Sequence, residues 1–272
     1  VLAQDYDPVN DLAFLEKELN MWFLSILERG WNKFSKQAHT EKIPLKKVIA
    51  NQLSGLKVSE EMVNASLKLF DKDILSFSLE DKYKLAGKLR ELSKPIIIAA
   101  NKSDLETSHK NIRRLEENTS SLVIPCSAEA ELALREANRK ELIEYIPGEN
   151  NFTIIKDVGE KRKNALQFIK DKVLAKYGNT GIQKVLDTSV FQLLEYIAVF
   201  PGGVRKLADQ EGNILPDCFL LCKNSTALDF AYKVHNDLGD NFIRAVDAKT
   251  KKTVGKDHKL KHRDVIEIIA GR

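Results

Sequence analysis

At 272 residues, with 43% hydrophobic and 30% charged side chains, the chain can bury a sizeable core and has room for two domains; the composition excludes a disordered, collagen-like or coiled-coil polypeptide. A net charge of +4 is a mild basic bias that permits acidic or nucleic-acid partners without demanding one. The longest apolar runs, such as residues 95–100, are too short to cross a bilayer and no basic-then-apolar leader opens the chain, so the expectation is a cytoplasmic protein with no membrane partner.

Asp7-Pro8 supplies an N-cap and a first-turn proline, after which Leu12, Leu15, Leu19, Trp22, Phe23 and Ile26 recur at helical spacing up to Gly30, read as the helix stop. That aromatic stripe is expected to be packing surface rather than a ligand site. Weaker helical stretches, roughly 45–53 and 60–70, are separated by Ser54-Gly55. A further helix from Leu79 to about Leu92 leads through Lys94-Pro95 into the apolar run 96–100, whose length and polar boundary predict a buried parallel strand. Ser108 can cap the next helix, to about Glu117, and Leu122-Val123-Ile124 forms a second strand ending at Pro125-Cys126-Ser127-Ala128. Strand, loop, helix, strand, loop is the signature of an α/β sheet, whose ligands lie outside the carboxyl ends of the strands. Helices are predicted from about 129 to 139, 158 to 177 and 180 to 196, with Pro201-Gly202-Gly203 as a linker. A compact α+β pattern follows: strand 219–222, helix 226–235 opened by Thr226 and Asp229 at capping-box spacing, strand 242–246, a basic turn, and strand 265–269.

The residues that carry chemistry sit at the ends of the two predicted parallel strands. Guanine presents its N1 and N2 protons on one edge, and a carboxylate such as Asp104 accepts both; adenine would meet that carboxylate with an acceptor. Lys102 can lay its aliphatic stem over the base, and Asn101 can brace the neighbouring loop. In the second loop, backbone N–H groups around Ser127 and Ala128 could bind the guanine O6. Asn-Lys-x-Asp alone would arise by chance in roughly one chain in thirty of this length. Its position after a predicted strand, with Ser-Ala after the next one, is what gives it weight.

These motifs resemble those of translation-factor-type GTPases, and within them the Obg-like YchF group, particularly its archaeal branch. The resemblance covers nearly the whole chain and is most specific in the run 225–235, Ser-Thr-Ala-Leu-Asp-Phe-Ala-Tyr-Lys-Val-His, with Asp237-Leu238-Gly239 and Asp264-Val265-Ile266-Glu267-Ile268, which look like a TGS domain. The resemblance implies a fold of α/β class: part of a P-loop-type GTPase domain with a helical insertion, followed by a ubiquitin-like α+β β-grasp. It divides the chain into a helical insertion (1–77), the C-terminal part of the GTPase domain (78–148), a helical linker region (149–203) and the TGS domain (204–272). Several bacterial and eukaryotic members carry a glutamate where Asp104 stands and use ATP; Asp104 therefore implies GTP and GDP as ligands, with Mg²⁺ expected in the intact protein and hydrolysis as its reaction.

Hydrolysis needs a G-x-x-x-x-G-K-[ST] loop to hold phosphates, and no such string occurs in residues 1–272. The expectation is that the phosphate-binding half precedes Val1 in an intact parent, with no catalytic residue in this chain and negligible turnover by it alone. Asp209-Gln210-Glu211-Gly212 spells a switch motif in the wrong order and is read as a turn. Three cysteines, Cys126, Cys218 and Cys222, make neither a disulfide framework nor a zinc site, and no metal ligands are assigned. Lys249, Lys251, Lys252, Lys256, Lys259, Lys261 and Arg263, with Asp257 as the one acid among them, form a candidate footprint for RNA phosphates or a solvated hairpin turn. His235 suits a helix C-terminus and receives no catalytic role. The resemblance implies a ribosome or rRNA partner, and the chain is expected to be a monomer. The alternative is a non-catalytic RNA- or ribosome-binding module; an alarmone synthetase or threonyl-tRNA synthetase would make the Asn101–Asp104 loop an accident.

Overall fold

The computed structural model describes residues 7–40 (backbone only from 32), 44–203, 207, 212–215 and 217–271, in two compact units, Val1–Val185 and Leu186–Arg272. In the first unit, helix α1 (Pro8–Thr40) begins where Asp7 Oδ1 accepts the Val9 N–H at 3.0 Å, with Pro8 in the first turn. The helix does not stop at Gly30. One interior glycine costs about 1 kcal/mol relative to alanine. Burial of the side chains on either side of it, Leu27 and Trp31, outweighs that, and Trp31 stacks on Phe77 at 6.2 Å between ring centroids.

Helices α2 (Leu45–Gln52), α3 (Glu60–Leu67) and α4 (Leu79–Ser93) close over α1. Their shared core contains Phe23, Leu27, Ile49, Leu53, Val63, Leu85 and Leu89, all at most 1% exposed. The predicted apolar stripe of α1 is only partly core: Phe23 is buried, but Leu15 and Trp22 are about half exposed. The first turns of α1 reach past this core, and Leu12, Phe14 and Leu15 instead border an open apolar groove of about 590 Å³ along residues 96–100.

That stretch contains strand β1 (Ile97–Asn101), followed by α5 (Ser108–Asn118), β2 (Leu122–Cys126) and α6 (Ala128–Arg139). The strands are parallel, in register from Ile97 opposite Leu122 to Asn101 opposite Cys126. Burial of β1 is less than its apolar run predicts: Ala100 is buried and Ala99 exposed. A continuous apolar run suits a strand covered on both faces, and β1 has one neighbour strand among the described residues. Ser108 is the first residue of α5, not its cap; its hydroxyl donates to the Ser103 carbonyl at 2.9 Å. A short antiparallel pair, β3 (Ile143–Glu144) and β4 (Thr153–Ile154), precedes α7 (Gly159–Ile169), which continues through a wider π turn into α8 (Ala175–Tyr177). The boundary between the two units falls within the short helix α9 (Ile182–Asp187), after Val185.

The second unit is a mixed sheet of five strands among the described residues: β5 (Tyr196–Pro201), β6 (Phe219–Cys222), β7 (Phe242–Asp247), β8 (Lys252–Val254) and β9 (Asp264–Ala270), in the order β6-β5-β9-β7-β8. The parallel β5–β9 pair lies inside the sheet. Helix α10 (Ala227–Val234) covers one face with Ala227, Phe230 and Ala231, all fully buried, and α11 (Asn236–Asp240) follows it. This is a β-grasp. Its helix starts on the predicted capping box: Thr226 Oγ1 accepts the Asp229 N–H at 3.2 Å, and Asp229 Oδ2 accepts the Thr226 N–H at 2.7 Å.

Two readings change here. The segment assigned to a helix end and a Pro-Gly-Gly linker holds β5. Pro201 is tolerated as its last residue, and Gly202 still donates to the Ile266 carbonyl at 3.2 Å. The basic turn contains a strand, β8, at the sheet edge. Residues 209–211 of the Asp-x-x-Gly string lie outside the described residues.

The α4 start yields a pH prediction. The Lys72 ammonium and the Ser78 hydroxyl and backbone hold the Asp81 carboxyl down to about 2 from its ordinary 3.8. A depressed folded-state value means stability that is complete above the unfolded value and is lost as pH falls through the folded one. The wild type is expected to lose urea midpoint between pH 4 and pH 2 more steeply than Asp81→Asn; parallel profiles in that window would refute the assignment.

Candidate functional site

Parallel pairing sets the loops after β1 and β2 side by side at one sheet edge, because Asn101 and Cys126 are register partners. Three hydrogen bonds then lock the loops together. Asn101 Oδ1 accepts the Ala128 N–H at 3.0 Å, the Ser103 N–H donates to the Cys126 carbonyl at 3.0 Å, and Ser127 Oγ donates to Asp104 Oδ1 at 2.8 Å. The structure thus brings Asn101, Asp104, Ser127 and Ala128 into one constellation. Lys102 joins it as an exposed residue with φ +67°, a left-handed conformation that costs roughly 1 kcal/mol outside glycine. Ser103 contributes through its backbone: its carbonyl accepts from Ser108 and from the Tyr177 hydroxyl at 3.3 Å, while its own hydroxyl is buried without a hydrogen-bond partner among the described residues.

Ser127 is also the N-cap of α6, its hydroxyl accepting the Ala130 N–H at 3.4 Å. Its own N–H does not face a ligand. It donates to the Thr180 carbonyl at 2.8 Å, so of the two backbone donors expected at this loop only that of Ala128, shared with Asn101, sits at the loop edge. Asp104 and Ser127 open onto a cavity of about 390 Å³ walled by Ala130 and Ala133 of α6 and Ala165, Phe168 and Ile169 of α7.

Sequence reasoning missed what holds the second loop from behind. Glu131, 4% exposed, accepts from Thr180 Oγ1 at 2.5 Å, the Tyr145 hydroxyl at 2.8 Å and Arg135 Nε at 2.5 Å. Burial pushes the Glu131 carboxyl up, but these three donors outweigh it and leave it below the ordinary carboxylate range. Burial, then the Glu131 bond, raises the Tyr145 phenol to about 12, so it remains a donor throughout the neutral range. A glutamate four residues into a helix with arginine four residues on reads from sequence as a surface pair; Thr180 lies 49 residues away and gives no local signal.

The basic residues of the second unit are dispersed along one stretch. Lys249 and Lys251 occupy the β7–β8 turn, Lys252 lies on β8, and Lys256, Lys259, Lys261 and Arg263 follow before β9; all seven are exposed. None has an ion-pair partner among the described residues. The stretch 256–260 is pinned by backbone bonds over the start of α10, where Ala227 and Leu228 donate to the His258 and Lys256 carbonyls at 2.9 and 3.1 Å. His235 caps α10 and accepts the Asp237 N–H at 3.2 Å, a structural role.

Gly181 adjoins Thr180 at φ +84°, and a Cβ there would stand 2.1 Å from the Pro125 carbonyl oxygen, at the root of the second loop. Gly181→Ala is expected to cost about 1–3 kcal/mol through overpacking and backbone strain. Denaturant unfolding checks this, and a loss under about 0.5 kcal/mol, the usual surface range, would refute the close approach.

Comparisons with known proteins identify the family. Residues 99–203 match the G4 motif-containing domain of the Obg-like GTPase YGR210-like family, and residues 208–270 match the TGS domain. A GTP-binding protein of Methanocaldococcus jannaschii is 45% identical over 272 aligned residues, covering 98% of this chain and 68% of that protein. One from Schizosaccharomyces pombe is 26% identical, covering 83% and 58%. Among solved structures, a GTP binding protein from Pyrococcus horikoshii OT3 aligns with a TM-score of 0.74 at 41% identity over 99% of this chain and 73% of that one. The Schizosaccharomyces pombe YchF GTPase shares the fold, with a TM-score of 0.54 at 15% identity over 99% and 68%. An α/β unit carrying the interlocked Asn101–Asp104 and Ser127–Ala128 loops, a β-grasp after it and relatives of this closeness place the chain in the Obg-like, YchF-type GTPase family.

Proposed function

We propose that this chain supplies the base-recognising part of a guanine-nucleotide-binding protein that contacts RNA or the ribosome through its C-terminal unit. The observation that carries the first part is the Ser127–Asp104 hydrogen bond. By occupying one lone pair of Oδ1, Ser127 fixes the carboxylate while leaving acceptor sites for two donors, the number guanine presents through N1 and N2. Asn101, with Oδ1 committed to Ala128, turns its NH₂ outward as a donor suited to the acceptors on the other edge of the base. The Lys102 stem is free to cover the ring, and its ammonium to face a phosphate or ribose oxygen. The family's GTP-binding members support the same ligand.

Residues 1–272 contain no phosphate-cradling string of the kind that, with a bound nucleotide's phosphates, holds Mg²⁺. The role proposed for them is base recognition. GTP hydrolysis belongs, in this reading, to a protein in which a phosphate loop is joined to them.

The base can be read by titrating the chain with GDP, ADP and XDP. GDP is expected to bind more tightly than ADP by at least about a hundredfold, the range for a site built to pair with a polar group the analogue lacks. Asp104→Asn should lose GDP affinity and gain XDP affinity, because an amide donor meets the xanthine 2-oxo group. Equal binding of GDP and ADP by the wild type would end this reading.

The second part rests on seven exposed, unpaired bases on an ordered loop and edge strand. Lysines on an edge strand also discourage sheet-to-sheet association, which is the competing role for Lys252. A single-stranded rRNA fragment should bind with log K falling by roughly 0.7 per phosphate contact as log salt rises. Lys251→Glu with Lys252→Glu should weaken binding and flatten that slope; salt-insensitive binding, or none, argues for the edge-protection role.

A further inference from the structure

The buried polar group behind the second loop has no part in contacting a base, yet two hydrogen bonds connect it to the residue that would. The Thr180 carbonyl holds the Ser127 N–H at 2.8 Å, and the Ser127 hydroxyl holds Asp104 Oδ1 at 2.8 Å. Thr180 itself is fully buried, and its hydroxyl is fixed by Glu131 Oε2 at 2.5 Å. Glu131 closes the circuit, since its own N–H donates to the Ser127 carbonyl at 3.1 Å in the first turn of α6. Both ends of the Ser127 residue are therefore set by one residue, its carbonyl by the Glu131 backbone N–H and its amide through Thr180, whose hydroxyl the Glu131 carboxylate holds. Gly181 seats this loop against Pro125, and Asn179 Oδ1 accepts the Gly181 N–H at 2.8 Å.

We infer that Thr180 and Glu131 are positioning residues for guanine specificity: they fix the Ser127 backbone, and through its hydroxyl the orientation of the Asp104 carboxylate, without touching the nucleotide. The inference rests on the base-recognition reading proposed above. Two features separate it from general core stability. Glu131 is a buried carboxylate that an apolar residue of similar size could replace in packing, and such buried ionic groups are not by themselves evidence of stabilisation. Its three donors come from α6, from the residue after β3 and from the segment after α8, and one of them, Thr180, holds through its carbonyl the residue whose hydroxyl braces Asp104.

The test compares GDP with IDP, which lacks the N2 amine and so reports on the second proton pairing with Asp104. Thr180→Val keeps the shape and the backbone carbonyl and removes the hydroxyl that anchors them. It is expected to weaken GDP binding by about 2- to 10-fold, the usual worth of one hydrogen bond, with IDP affected less, so that the GDP-to-IDP preference narrows. Thr180→Ser should restore it. Exchange of the Ser127 amide hydrogen should accelerate in Thr180→Val and return in Thr180→Ser. A folded Thr180→Val chain whose GDP-to-IDP ratio stays within about twofold of wild type overturns the inference. So does a fall equal for both nucleotides, which is what loss of structure alone would give. If Thr180→Val does not fold, Tyr145→Phe decides in the same way, since it removes a different donor from the same Glu131 oxygen. A wild type without preference for GDP over ADP would sink the base-recognition reading itself; a wild type with that preference and an unaltered Thr180→Val ratio sinks only this inference.

Discussion

Ser127 is the residue on which the site depends. Its carbonyl starts α6, its N–H is held by Thr180, and its hydroxyl both receives the Ala130 N–H and donates to Asp104. Its partners come from three stretches of chain, the first turn of α6, the β1 loop and the segment after α8, and this one residue ties all three to the end of β2. A threonine would crowd the hydroxyl's rotamer and an alanine would leave the Asp104 carboxylate without its brace. The parallel register of β1 and β2 makes the arrangement possible, because only in-register strands set Asn101 beside Cys126 and leave the two loops within hydrogen-bond reach.

The polar network behind Ser127 illustrates how a buried charge is made tolerable. Desolvation alone would drive Glu131 toward its neutral form, but Thr180, Arg135 and Tyr145 satisfy it so fully that the carboxyl stays ionised. Removing one donor leaves the charge buried and under-paired, which costs more than the bond's own net contribution. That asymmetry is why such networks rigidify what surrounds them. Here the part made rigid is the loop that carries Ser127 and Ala128.

The second unit follows a different logic. Its sheet and α10 bury an apolar core of ordinary kind, with Val199, Phe230 and Ala245 fully enclosed, and its charge is concentrated on the loop and strand between β7 and β9. Backbone bonds from the start of α10 hold that loop, so its lysines project from an ordered frame. In the RNA contact proposed for this unit, ordering beforehand reduces the entropy lost on binding a phosphate backbone.

Much of this was legible in the chain of residues, and the legible parts share a cause: they depend on near neighbours. Asp7-Pro8 opens a helix, Thr226 and Asp229 cap another, and the two short apolar runs become β1 and β2, each within a residue or two of expectation. The Asn101–Asp104 and Ser127–Ala128 motifs also stood out, because strand ends place them on one edge. What failed depended on distant partners. Gly30 does not end its helix because Trp31 finds Phe77 some 46 positions on; Pro201-Gly202-Gly203 is no linker because β5 finds β9 more than sixty residues later. The Ser127 N–H goes to Thr180, and Glu131 is buried, for the same reason. Local sequence determined the elements and named the residues proposed to read a base. Only the tertiary structure decided what holds those residues in place, because desolvation and hydrogen-bond closure over long separations are properties of the packed chain and not of any window along it.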